Sequence, residues 1–61
     1  MHTYRVIALI LYEKGDQMAT TNVIRAKDKN QAREKIRKRY MKNPGVGEVV
    51  VNIETDVIQL D

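Results

Sequence analysis

The chain has 61 residues with eleven Lys or Arg, eight Asp or Glu and no cysteine, for a net charge of +3. A single domain of this size buries only about 60% of its unfolded surface, and here no disulfide or thiolate metal site can staple it. The longest apolar run, Val6 to Leu11, is six residues. That is far short of the roughly 18 needed to cross a membrane as a helix, and no signal-peptide pattern precedes it. The lone histidine, His2, cannot build a histidine-rich metal centre, so no metal or cofactor is expected. Absence of cysteine suits a reducing compartment, and a cytoplasmic protein is expected, in the host cytoplasm if the chain is viral. Beginning at Met1, it reads as one complete domain spanning 1–61.

Thr3 to Tyr12 is dense in β-branched, aliphatic and tyrosine residues, which predicts a strand. Both parities are apolar, as in a central strand. Glu13-Lys14-Gly15-Asp16 reads as a hairpin loop, with Gly15 at positive φ. Met18 to Ala26 returns as a second strand. The period then changes. Asp28-Lys29-Asn30-Gln31 has capping-box spacing, in which Asp28 accepts from a first-turn N–H and Gln31 reaches back to the cap. A helix is expected from about Lys29 to Lys42, with Ala32, Ile36 and Tyr40 forming a narrow apolar stripe at spacing i, i+4, i+8. Asn43-Pro44-Gly45 stops it. Glu48 to Ile58 reads as a third strand, with Val49, Val51, Ile53, Thr55 and Val57 on one face and Asn52, Glu54 and Asp56 on the other.

The order is thus β-β-α-β. The expected fold is α+β: a three-stranded antiparallel sheet in order 2-1-3 with one helix on one face. One stripe covers one face of the sheet. The set Tyr4, Val6, Ala8, Ile10 and Tyr12 is assigned to the helix side, because Ala8 admits the helix and the alternative would bury Arg5. Ile7, Leu9, Leu11 and Val23 are then exposed on the far side as an apolar association face, which a homodimer would cover.

The net charge hides an asymmetry. Residues 25–42 hold nine basic residues against Asp28 and Glu34, a local +7, and the rest holds two basic residues against six acidic ones, a local −4. Helical spacing aligns Lys35, Lys38, Arg39 and Lys42 in one stripe, with Arg33 and Arg37 flanking the apolar stripe on the other side. A helix that serves only solubility usually mixes signs. This one is expected to meet an anionic partner.

Catalytic signals are weak. Gly45-Val46-Gly47 follows a helix, whereas phosphate loops run from strand to helix. Glu54 and Asp56 share a strand face without a cleft to perturb them and read as edge protection. No nucleophile–base set can be assembled, so the chain is not expected to be an enzyme. Without Phe or Trp, and with three tyrosines assigned to the core, any nucleic-acid binding should be led by the phosphate backbone.

The β-β-α-β order and the stretch Val23-Ile24-Arg25-Ala26 followed by Gln31-Ala32-Arg33-Glu34-Lys35-Ile36 resemble two groups of small proteins. One is the archaeal ribosomal protein LX, a likeness that implies ribosomal RNA as partner. The other is the set of small bacteriophage proteins that inhibit host machinery, bacterial RNA polymerase included, a likeness that implies a host protein target. The leading expectation is a small regulatory or inhibitory binding protein, phage-encoded, whose basic helix docks an acidic surface of a host macromolecule. The second is a backbone-led RNA- or DNA-binding module, and the third a structural homodimer.

Overall fold

The computed structural model describes residues 1–42 and 49–61. Strand β1 spans His2–Tyr12, β2 Gln17–Ala26, helix α1 Lys29–Lys42 and β3 Val50–Gln59. The sheet order is β2-β1-β3, with β1 antiparallel to both neighbours. The expected α+β architecture is therefore the observed one. The predicted helix stop at Asn43-Pro44-Gly45, the Gly45-Val46-Gly47 loop and the strand start at Glu48 lie outside the described residues.

The hairpin joining β1 and β2 closes with Gly15 at φ 95°, the left-handed region that glycine enters without steric cost. The Tyr12 N–H donates to the Asp16 carbonyl at 2.9 Å and the Gly15 N–H to the Tyr12 carbonyl at 3.0 Å. Ten consecutive residue pairs then run from Leu11–Gln17 to His2–Ala26 without a break.

The core is one layer thick. Tyr4, Val6, Ala8, Ile10 and Tyr12 alternate along β1 and all point at the helix, where Ala32 and Ile36 are buried against them. Ala8 sits with no exposed surface between the larger residues, which lets the helix approach the sheet. Ile53 and Val57 complete the core from β3 and Ala26 from β2, with Ile24, Tyr40 and Val50 packed at its margin.

At its N-terminus α1 is capped as the spacing predicts, with one difference. The Gln31 N–H donates to Asp28 Oδ1 at 2.8 Å, and Gln31 Oε1 accepts from the Lys27 N–H at 2.6 Å. The return bond thus reaches the residue before the cap, fixing the passage from β2 into the helix.

Strand β3 departs from the expected phase at its start. Leu11 pairs with Asn52 but Tyr12 pairs with Val50, so Val51 is an extra residue in a β-bulge. The bulge reverses parity. Val50 packs against the core, while Val49 and Val51, expected on the inward face, are exposed.

Candidate basic-helix interface

With Ala32, Ile36 and Tyr40 facing the sheet, the basic residues divide between the two flanks of α1 and its outer ridge. On the β2 flank, Lys35 Nζ donates to the Arg25 carbonyl at 3.0 Å and Arg39 Nη1 to Asn22 Oδ1 at 3.4 Å. The Tyr40 hydroxyl donates to the same Asn22 oxygen at 3.3 Å, and Asn22 Nδ2 donates to Thr20 Oγ1 at 3.1 Å. On the β3 flank, Arg33 Nε donates to Thr55 Oγ1 at 3.1 Å and its Nη1 to Asn30 Oδ1 at 3.1 Å. Arg37, also on this flank, is half-buried.

The six predicted contact residues are therefore not equivalent. Lys35, Arg39 and Arg33 are tied to the sheet or to the first helical turn, so each is part of the fold as well as of the charged surface. Lys38 and Lys42 are exposed and make no hydrogen bond or ion pair among the described residues. Met41 is 58% exposed, and helical spacing sets it between Arg37 and Lys38, so the outer ridge carries an apolar side chain beside its cations. Sequence periodicity identified the cations but not Met41, which lies off the stripe that sets the helix phase.

The Lys and Arg side chains on this face form no ion pair among the described residues. Among the described residues the only contact at ion-pair distance is His2 Nδ1 with Asp61 Oδ1 at 3.5 Å, which is ionic only when the imidazole is protonated and lies far from the helix in sequence. Glu34, four residues before Lys38, forms no ion pair with it among the described residues. Glu54 and Asp56 point from β3 to the opposite face of the sheet, opposite Leu9 and Ile7. The domain is thus polarised across its thickness, cationic on the helix side.

Tyrosine placement limits how that side can bind. Tyr4 and Tyr12 are buried in the core, and Tyr40 is half-buried with its hydroxyl on Asn22. None offers a free ring face for base stacking.

On the far face the predicted set Ile7, Leu9, Leu11 and Val23 does lie together, opposite the helix. Ile7 and Val23 are exposed; Leu9 and Leu11, expected to be exposed, are half-buried between their cross-strand neighbours, Ala19 with Glu54 and Gln17 with Asn52. Ile58 and Leu60 extend the patch and are exposed. Ile58 shares the parity of Glu54 and Asp56, the signal that would have placed it there.

No pocket opens and no group of three or more potential metal ligands gathers among the described residues. Among the described residues no helix is long and apolar enough to cross a membrane. No protein-family model matches the chain, and no curated protein or solved structure shows significant similarity to it.

Proposed function

We propose that this domain is a small non-enzymatic docking protein whose helix α1 seats on an acidic protein surface of a larger macromolecule. The carrying observation is the absence of any carboxylate within ion-pair distance of a Lys or Arg among the described residues. Such a field attracts anionic partners over a Debye length, about 8 Å at physiological salt. A regulatory or inhibitory protein that masks an acidic surface needs no other equipment.

Two features favour protein over nucleic acid. The tyrosines are consumed by the fold, leaving no stacking platform. Met41 stands exposed on the helix surface between Arg37 and Lys38, and an apolar side chain flanked by cations suits the apolar core and polar rim of a protein contact.

The test compares an acidic polypeptide such as polyglutamate with nonspecific RNA and DNA, each at low and physiological salt. Tighter binding to the polypeptide, lost in a Lys38→Glu/Lys42→Glu double variant, supports the proposal. Submicromolar, steeply salt-dependent binding to nucleic acid alone transfers the function to the phosphate-led reading. Lys38 and Lys42 are the clean positions, because reversing Lys35, Arg39 or Arg33 also breaks bonds that hold the helix to the sheet or Arg33 to Asn30 in the first turn.

A further inference from the structure

The two edges of the sheet differ in how they are guarded. Strand β3 carries a bulge at Val51 and the carboxylates Glu54 and Asp56, two devices that discourage strand addition. Strand β2 carries neither. Its ten residues, QMATTNVIRA, contain one charge, Arg25, at the far end, and no proline, and they pair with β1 without a register shift.

The direction of the free backbone groups on β2 follows from bonds at the sheet margins. Tyr12 N–H points toward β2, whereas the Thr3 carbonyl accepts from Leu60 and the Glu13 N–H donates to Val49, both on the β3 side. Even-numbered β1 residues therefore bond to β2 and odd-numbered ones to β3. Across the β1–β2 ladder the bonded partners are Met18, Thr20, Asn22 and Ile24. Gln17, Ala19, Thr21 and Val23 consequently direct their N–H and C=O groups to the open edge. Arg25 belongs to the same set, and its carbonyl is capped by Lys35 Nζ. Among the described residues, edge protection is thus present at one end of β2 and absent along its middle.

The exposed segment is self-complementary. If a second copy pairs antiparallel about a two-fold axis at Thr21, Thr21 meets Thr21 and Ala19 meets Val23 in each direction. On the helix side, Thr20 meets Asn22 and Met18 meets Ile24. Gln17 meets Arg25. Each pair matches a hydroxyl with an amide or hydroxyl, an apolar group with an apolar group, or a neutral amide with a cation, and like charges never face each other along the strand. Met18 and Val23, 40% and 59% exposed in the single chain, gain cross-strand cover.

We infer that β2 is a self-association edge: two copies join through it, centred on Thr21, into one six-stranded antiparallel sheet. Such an axis stands normal to the sheet and keeps both helices on one face. Lys35 and Arg39 lie on the β2 flank of α1, so the two basic flanks converge above the new strand pair. That repulsion opposes dimerisation and is screened by salt. Self-association should therefore tighten with ionic strength, the reverse of docking on an acidic surface.

The experiment is sedimentation equilibrium of the full chain at about 0.1 M and about 1 M salt, across which the Debye length falls from about 10 Å to about 3 Å. It is paired with amide hydrogen exchange at increasing concentration. The expected result is a dimer that tightens with salt and a concentration-dependent gain in protection at Ala19, Thr21 and Val23, with Thr20 and Asn22 protected throughout. Thr21→Pro deletes an N–H that β1 does not use, at an edge position where proline is tolerated. Across both copies it removes about two ladder bonds and should raise the dissociation constant about a hundredfold. Thr21→Lys places like charges opposite each other and should do the same, which keeps the test valid if the proline variant fails to fold. A chain that stays monomeric at high salt and submillimolar concentration overturns the inference. So does a dimer that weakens with salt, or one that survives Thr21→Lys and is dispersed instead by Leu9→Lys on the far sheet face.

Discussion

Asp28 and Gln31 show how a two-residue device decides a chain reversal. Their bonds close the passage from β2 into α1 from both sides. Asp28→Ala should cost about 1 kcal/mol. In a domain whose core supplies only about 3–5 kcal/mol by size alone, that is a measurable fraction in urea unfolding. Asp61 is the other informative single residue. Desolvation at the sheet end pushes its carboxyl up, but the Thr3 backbone, the His2 ring, its own backbone and the Gln59 side chain outweigh this and hold it below the usual carboxylate value. A carboxyl depressed in the folded state stabilises it above the unfolded-state pKa, and that contribution disappears as pH falls through the folded one. Acidification should therefore loosen the pairing of the β3 end with Thr3 before the core, visible as earlier loss of Leu60 amide protection than of Val6. At this scale the sequence was informative where partners are local, as in the cap. It was silent on Arg33, Lys35 and Arg39, whose partners Thr55, Arg25 and Asn22 lie far along the chain.

Among the elements, α1 was the most legible, because three apolar residues at spacing four leave one orientation only. Ile36 is the centre of that stripe and has no exposed surface. Ile36→Ala should cost about 2–5 kcal/mol, enough to unfold most of the population at room temperature. A circular-dichroism melt without a cooperative transition is the expected readout. Central placement of β1 was equally legible, since both of its parities are apolar. The start of β3 was not. Val49, Val50 and Val51 are identical, so alternation has no phase there, and only pairing with Tyr12 reveals that Val50 is the inward one. Replacing Val50 with Asn should therefore destabilise the domain more than the same change at Val51, which is 60% exposed.

Across the whole molecule, layering separates tasks. The sheet's inner face holds the core, the helix carries positive charge outward, and the far face gathers Ile7, Leu9, Leu11, Val23, Ile58 and Leu60 beside the carboxylates of β3. The segregation of charge was visible in the sequence as a basic middle and an acidic remainder. Its division between tethered and free cations was not, because tethering depends on which strand each helix flank overhangs. Reversing Lys38 and Lys42 should leave the melting temperature within a few degrees of the parent, as surface changes usually do, and thermal melts of the double variant check this directly.

The tie between His2 and Asp61, with Leu60 bonded to Thr3 at 2.8 Å, brings the two chain ends side by side. A short flexible linker could join them without disturbing the sheet, and new ends could be cut between Lys14 and Gly15 at the hairpin tip. The resulting circular permutant would keep every pairing while turning the most local one, β1 with β2, into the most distant in sequence. The same cut makes β3 with β1 the new local hairpin, so the two ladders exchange roles. Since folding rate follows the mean sequence separation of contacts, the permutant should reach the same structure at a similar rate but with β3 and β1 pairing first.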